Sequence, residues 1–283
     1  MQRHDLYFDT ETLPNLDPSV KQKMLENIEI PPIPEPPKTL KKEDTIAAWR
    51  ENEFPKLMEK RDRQIEELKE KADEKFRKQA LEAATGHMCC IAAAFDDDNV
   101  WGLHSQDGDE KLSVGEFVQK ERARIKGFFK HIEGFLAQSA KKSLMEKQQK
   151  FVENGFGDPD QEITVTEDDI VPPRLIAYNA GFDVRFMWQR SIILNVNPPK
   201  WWPINARPWD TQAILDPMTL WFGHGKFGKM DHLCQTVGIP GKDGFDGSMV
   251  YDAFMNGEHQ KIFEYCCDDV RKLRQLKKRL WLS

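Results

Sequence analysis

The sequence predicts an α/β fold, and three observations carry that prediction. A short apolar strand opens the chain and ends in two carboxylates, Asp9 and Glu11. A second apolar run, Arg174 to Tyr178, passes straight into a helix. A long amphipathic helix closes the chain at about His259 to Trp281. Strands alternating with helices must bury a sheet face against a helical layer. At 283 residues the chain can bury a full core, and we expect a single domain over 1–283 interrupted by an insertion at 15–85.

The opening strand, His4 to Thr12, alternates its side chains, so Asp9 and Glu11 share one face while Phe8 and Thr10 share the other. Two carboxylates on one face raise each other's pKa. A divalent cation removes that cost, and hard oxygen donors suit magnesium or manganese. The spacing by itself is common, since Asp160 and Glu162 repeat it inside a polar segment.

Residues Pro14 to Lys38 then leave globular texture, and the run Pro31 to Pro37 predicts an extended strap. From Lys41 to Ala84 the composition is helical, with 12 Lys/Arg and 12 Asp/Glu that cancel. Pro55 divides this stretch into a short and a long helix. Leu57, Ile65, Leu68, Ala72, Phe76 and Ala80 form a narrow apolar stripe on the long one. Such a stripe packs a helix on a core, or arms it to hold a substrate or partner.

Met88 to Phe95 reads as a buried strand, Asp96 to Asn99 as a turn, and Val100 to Leu103 as the strand returning antiparallel. Three aspartates in a row between apolar runs suit a hairpin better than a metal site. Ser113 to Ala140 is an amphipathic helix, followed by a polar surface connection, Lys141 to Pro173, containing Gly155, Gly157 and Pro159. After the strand at Arg174 to Tyr178, a junction of small residues, Asn179-Ala180-Gly181, starts a helix running to about Ile193. Asp183 falls in its first turn, where the helix dipole favours a carboxylate. Asn205 to Leu215 predicts a short strand into a helix with Asp210 between, and Gly238 to Val250 a turn-rich loop. On the last helix Tyr265 and Asp269 are four apart and share a face. Arg271, Lys272, Arg274, Lys277, Lys278 and Arg279 follow, matching the helix dipole or tracking a phosphate backbone.

A net charge of −6 argues against blanket attraction to nucleic acid and leaves only a local basic surface. The five cysteines, Cys89, Cys90, Cys234, Cys266 and Cys267, have no zinc spacing and read as reduced, small apolar residues. No signal pattern and no membrane-length apolar run is present, so the sequence predicts a cytoplasmic protein with no membrane partner.

Taken in order, Asp-x-Glu on a strand, Asn-x-x-Phe-Asp at a strand-to-helix junction and Tyr-x-x-x-Asp on the last helix resemble the three motifs of the DEDD superfamily of 3′–5′ exonucleases, tyrosine branch. The likeness covers the first dozen residues and most of the chain after about residue 86. It is nearest to stand-alone predicted exonucleases related to the proofreading domain of family-B DNA polymerases, which the run Asp243-Gly244-Phe245-Asp246-Gly247-Ser248 also resembles. Only Asp269 restores the last motif, because four residues before Asp268 stands Glu264. The histidine branch would need histidine at that same position.

The resemblance implies an RNase H-like fold, with a mixed sheet, Asp9 and Glu11 on its central strand, and helices on both faces. It implies two magnesium or manganese ions held by Asp9, Glu11, Asp183 and Asp269, and Tyr265 orienting the attacking water. It places Thr10, Leu13, Asn179 and Phe182 where the terminal nucleotide is held, although Phe182 also suits a core. The implied activity releases nucleoside 5′-monophosphates from DNA 3′ ends, single strands preferred, in proofreading or repair. An exoribonuclease on the same scaffold and a dead nuclease fold that only binds nucleic acid are the alternatives. A replication or repair protein would dock on the helical arm.

Overall fold

The computed structural model describes residues 3–156, 158, 161–207, 209–241 and 244–282. Its five strands are β1 (Asp5–Leu13), β2 (His87–Phe95), β3 (Trp101–His104), β4 (Arg174–Ile176) and β5 (Ile214–Leu215). They form one sheet in the order β3-β2-β1-β4-β5. β2 pairs antiparallel with β1 and β3, whereas β4 lies parallel to β1 and β5 parallel to β4. The sheet is mixed, and the strand carrying Asp9 and Glu11 is its centre.

Alternation along the strands divides the core into two layers. Leu6 and Phe8 of β1 join Ile91, Ala93 and Phe95 on one face. That face is covered by α4 (Val114–Glu153) and α5 (Ala180–Ile193) through side chains such as Phe128, Ile132, Val184 and Phe186. Tyr7 and Leu13 join Cys90, Ala92 and Ala94 on the other, beneath Phe254 of α8 (Val250–Met255) and Ile262, Val270 and Leu273 of α9 (His259–Arg279). Burying each such side chain contributes roughly 1.5–3 kcal/mol.

Four boundaries differ from those the sequence suggested. The segment Pro14 to Lys38 is not extended throughout, because α1 (Pro18–Glu26) forms inside it. Asp17 accepts a hydrogen bond from the Ser19 amide, and Pro18 opens the first turn, where its missing N–H costs nothing. The Pro31 to Pro37 run itself has no regular structure. Second, α4 does not stop at Ala140 but continues to Glu153 on strong helix formers, so the surface connection is shorter. Gly157, Pro159 and Asp160 lie outside the described residues. Third, residues 205–207 and 209–210 form turn and loop rather than a strand, residue 208 lies outside the described residues, and β5 begins at Ile214. Fourth, the aspartate between that strand and its helix, α6 (Pro217–Phe222), is therefore Asp216 and not Asp210. Asp216 caps α6 by accepting from the Met218 amide, a second use of the Asp-Pro start seen at α1.

The charged stretch folds as α2 (Glu43–Asn52) and α3 (Phe54–Arg77), with Pro55 in the first turn of α3. Phe76 is the one residue of α3 that is buried. It meets Tyr251 edge-on at 5.5 Å, and Arg77 forks onto Asp252 at 2.8 and 3.0 Å. These contacts fix the C-terminal end of the arm to α8.

Five of the six basic residues between Arg271 and Arg279 at the end of α9 are held within the protein. Lys272 pairs with Asp268 at 2.7 Å, Lys277 with Asp5, and Lys278 with Asp97 at 2.8 Å. Arg274 and Arg279 donate to the carbonyls of Asp98 and Val237, both at 2.8 Å. The cationic end of α9 therefore clamps the helix to the start of the central strand β1 and to the Asp96–Asp98 turn, and leaves little charge for a phosphate backbone.

Behind the sheet a buried polar knot joins α4, α5 and β2. Arg190 grips fully buried Glu121 through two bonds of 2.8 and 2.6 Å, and the Met88 amide donates to the same carboxylate at 2.8 Å. Burial pushes Glu121 upward, but His87 and Arg190 outweigh it and hold the carboxyl below its usual range. All five cysteines are buried and none forms a disulfide. Among the described residues no helix is long and apolar enough to cross a membrane.

Candidate active site

Asp9 and Glu11 stand opposite Ala92 and Cys90 of β2, small neighbours that leave the space above the strand open. α9 crosses this face with Tyr265 and Asp269 one turn apart. Cys266 between them donates to the Asp9 carbonyl at 3.4 Å, which ties the helix to the strand at the motif itself. Asp183 arrives from α5 in the other layer, and the Thr10 hydroxyl donates to its Oδ1 at 2.5 Å. Strand alternation thus divides the work, with Asp9 and Glu11 facing α9 while Thr10, between them, secures Asp183.

Three of the four acids are buried, and all three act on the carboxyl of the fourth, Asp9. Glu11, Asp183 and Asp269 are buried, at 8%, 4% and 5% exposure. Burial raises the Asp9 carboxyl well above its ordinary value, and the fields of Glu11, Asp269 and Asp183 raise it further. Burial also pushes Asp183 up to about 7, against the Thr10 hydrogen bond that lowers it. The buried Oδ2 of Asp9 has no hydrogen-bond partner among the described residues. A buried anionic oxygen without a donor is costly unless a cation meets it.

Ligand atoms of Asp9, Glu11 and Cys266 lie within 4.8 Å of one another, a group that could hold a metal ion. The Cys266 thiol is pushed far up by burial, by Cys90 and by the two carboxylates, so it stays protonated. A neutral thiol is a poor ligand, and the remaining donors are oxygens, the set for a hard dication. Tyr265 is raised well above the ordinary phenol range by burial, then by Glu11, Asp269 and Asp9. It can donate its proton in a hydrogen bond and cannot serve as a base near neutrality. The Phe245 ring meets the Tyr265 ring edge-on at 4.9 Å, so the loop before α8 closes this side. Asp243 of the same run lies outside the described residues.

Of the residues placed near a terminal nucleotide, Thr10 is engaged with Asp183, and Leu13 is wholly enclosed in the core. Phe182 packs on Phe186 at 5.4 Å while remaining partly open. Asn179 caps α5 in the left-handed region (φ 57°), a conformation asparagine tolerates better than most residues. Asp216, which the sequence reading passed over, explains how that conformation is held. One of its oxygens accepts from the Asn179 amide and the other from the Ala180 amide, each at 3.1 Å. The Thr219 hydroxyl also donates to it, at 3.0 Å. A single carboxylate therefore fixes the β4–α5 and β5–α6 junctions together. Its signal in the sequence was the Asp-Pro pair that starts α6.

Residues 164–273 match a family described as a predicted 3′-5′ exonuclease related to the exonuclease domain of PolB. That segment contains Asp183, Asp216, Tyr265 and Asp269 and begins after Asp9 and Glu11. No curated protein matches the chain. Among solved structures the chain is similar to the family B DNA polymerase from the hyperthermophilic archaeon Pyrobaculum calidifontis. The TM-score is 0.48 and the identity 13%, with 99% of this chain and 25% of the polymerase covered. The chain thus spans a quarter of the polymerase's length.

Proposed function

We propose, from the premise that residues 164–273 carry the pattern of a predicted 3′-5′ exonuclease family, that this protein removes nucleotides from the 3′ ends of single-stranded DNA, using two magnesium or manganese ions. The observation that carries this proposal is the gathering of Asp9, Glu11, Asp183 and Asp269 from β1, α5 and α9 around an Asp9 oxygen with no donor. The donor set fits hard dications, and those four carboxylates would hold them. When bound, such ions lower the pKa of a water and neutralise charge growing on the phosphoryl oxygens.

The protein's own residues supply position. Thr10 fixes one oxygen of Asp183. Asp216 fixes the start of α5 and so the height at which Asp183 enters the site. Tyr265, kept protonated, aims a water by hydrogen bonding rather than by taking its proton. Hydrolysis there yields a nucleoside 5′-monophosphate and a chain one nucleotide shorter. The acids alone define neither direction nor substrate; the 3′-to-5′ direction is taken from the family description, and the preference for DNA is our reading of its relation to PolB.

The test uses 5′-labelled DNA and RNA oligonucleotides of one sequence, incubated with magnesium, manganese or a chelator. The expected result is a metal-dependent ladder that shortens from the 3′ end, faster on DNA. Faster shortening of RNA would make the protein an exoribonuclease, and binding without cleavage in any metal would overturn the enzymatic proposal.

Stability gives an independent readout of the cation. Asp9 and Asp183 have folded-state pKa values above their ordinary 3.8, and Asp183 reaches about 7. Without metal the folded state therefore binds protons that the unfolded chain has released, and stability falls as pH rises from about 4 to about 7. Above that window millimolar manganese should raise Tm by several degrees, as roughly 2.7 kcal/mol follows from a hundredfold excess over Kd. Asp9→Ala should lose most of that gain. An unchanged melting curve for wild type in manganese would remove the cation from this site.

A further inference from the structure

A cleft of about 390 Å³ opens between the first turns of α5, residues 203–207 and 209–211, and β5 with α6; it shares the β4–α5 junction with the carboxylate cluster but none of the cluster's acids. Its volume is that of a small-ligand site. Gly181 and Asp216 stand on its wall, so the cleft begins where the junction that carries Asp183 ends. Arg185, Arg207, Trp209 and His224 line it further out. Trp209 is 68% exposed, so its indole face is open to a ligand in the cleft.

The arginines of this cleft differ from those that brace the fold. Arg77, Arg124, Arg174 and Arg190 are all bound to carboxylates. The basic end of α9 is likewise turned inward, onto Asp5, Asp97 and backbone carbonyls. Arg185 and Arg207 are exposed, and neither makes an ion pair or a side-chain hydrogen bond among the described residues. In a chain of net charge −6, two uncommitted guanidinium groups flanking an open indole form a local cationic and aromatic surface. Phosphates suit the first and nucleobases the second.

We propose that this cleft is a second nucleotide subsite, which takes the nucleotide lying 5′ of the scissile bond in single-stranded nucleic acid. Trp209 stacks on its base, and Arg185 and Arg207 meet phosphates of the strand as it leaves the carboxylates. The subsite rests on the exonuclease proposal for the direction of the strand, and on the cleft's own residues for its chemistry. Stacking is sequence-tolerant because every base has a π-face, which suits an enzyme that shortens any strand.

Two substrates test it on the full chain. One is the p-nitrophenyl ester of thymidine 5′-monophosphate, which fills only the terminal site, and the other is a short single-stranded DNA. Trp209→Ala should raise KM for the oligonucleotide roughly tenfold relative to KM for the ester, the size expected for one lost stacking contact. Trp209→Phe should recover most of that ratio, which a merely structural role for the indole would not predict. The Arg185→Glu/Arg207→Glu pair should lower the slope of log affinity against log salt by about 1.4, two contacts on a single strand. An unchanged KM ratio in Trp209→Ala, with an unchanged salt slope in the arginine pair, would overturn the subsite. Should wild type hydrolyse neither substrate, the exonuclease proposal falls. Fluorescence anisotropy with the labelled oligonucleotide then decides the cleft separately. Weaker binding in Trp209→Ala and a reduced salt slope would sustain it, and equal binding in all variants would overturn it.

Discussion

Asp183→Asn is expected to reduce oligonucleotide hydrolysis by about three orders of magnitude or more. A cation held at this site supplies several kcal/mol to the transition state, and each 1.36 kcal/mol is about a factor of ten in rate. The substitution is chosen because the Thr10 hydroxyl can still donate to the amide oxygen at this position, so the packing of α5 survives. Asp183 is also a group whose charged form is disfavoured, with its pKa lifted to about 7. Removing that charge should leave the metal-free protein no less stable above neutral pH, a result that separates loss of chemistry from loss of fold. Tyr265→Phe should cost less, about 10- to 100-fold, the range for one hydrogen bond to a buried or charged group. An Asp183→Asn enzyme within tenfold of wild type, measured in either metal, would place the cation elsewhere.

Glu121→Ala should be among the most destabilising single changes in the molecule, although it lies in the layer away from α9 and Tyr265. It leaves the Arg190 guanidinium, 3% exposed, without its carboxylate, and it deprives the Met88 amide of its acceptor. Breaking a buried pair from one side costs about 3–5 kcal/mol. At roughly 2–4 °C per kcal/mol for a chain of this size, Tm should fall by about 6–20 °C. Replacing both partners, as Glu121→Leu with Arg190→Met, should recover much of the loss, because an apolar pair carries no desolvation cost. A single variant that melts within about 2 °C of wild type would show that water reaches Arg190.

How much of this was legible in the sequence depended on whether the signal was local. Asp9 and Glu11 share a strand face because side chains alternate, and Tyr265 and Asp269 share a helix face because they are four apart. Those relations need no tertiary information. The Asp96–Asp98 turn, the helix start at Asp183 and the break at Pro55 were equally local, and each lies where the pattern placed it. Two errors were also local in origin. The Asp-Pro starts of α1 and α6 were present at Asp17-Pro18 and Asp216-Pro217, but one was read as part of a proline-rich strap and the other was passed over for Asp210.

What the sequence by itself determined, then, is the α/β class and the elements on which Asp9 and Glu11, Asp183, and Tyr265 and Asp269 stand, β1, α5 and α9. The tertiary structure alone decided what meets them. It set Asp216 under the Asn179 and Ala180 amides, 37 and 36 residues away in the chain. It turned the basic end of α9 onto Asp5 and Asp97, more than 180 residues distant, and so away from any phosphate. It left Arg185 and Arg207 without an ion pair among the described residues. A cation's role depends on which carboxylate lies within reach, and that distance is set by the packing of strands and helices far apart in sequence, which no residue pattern records.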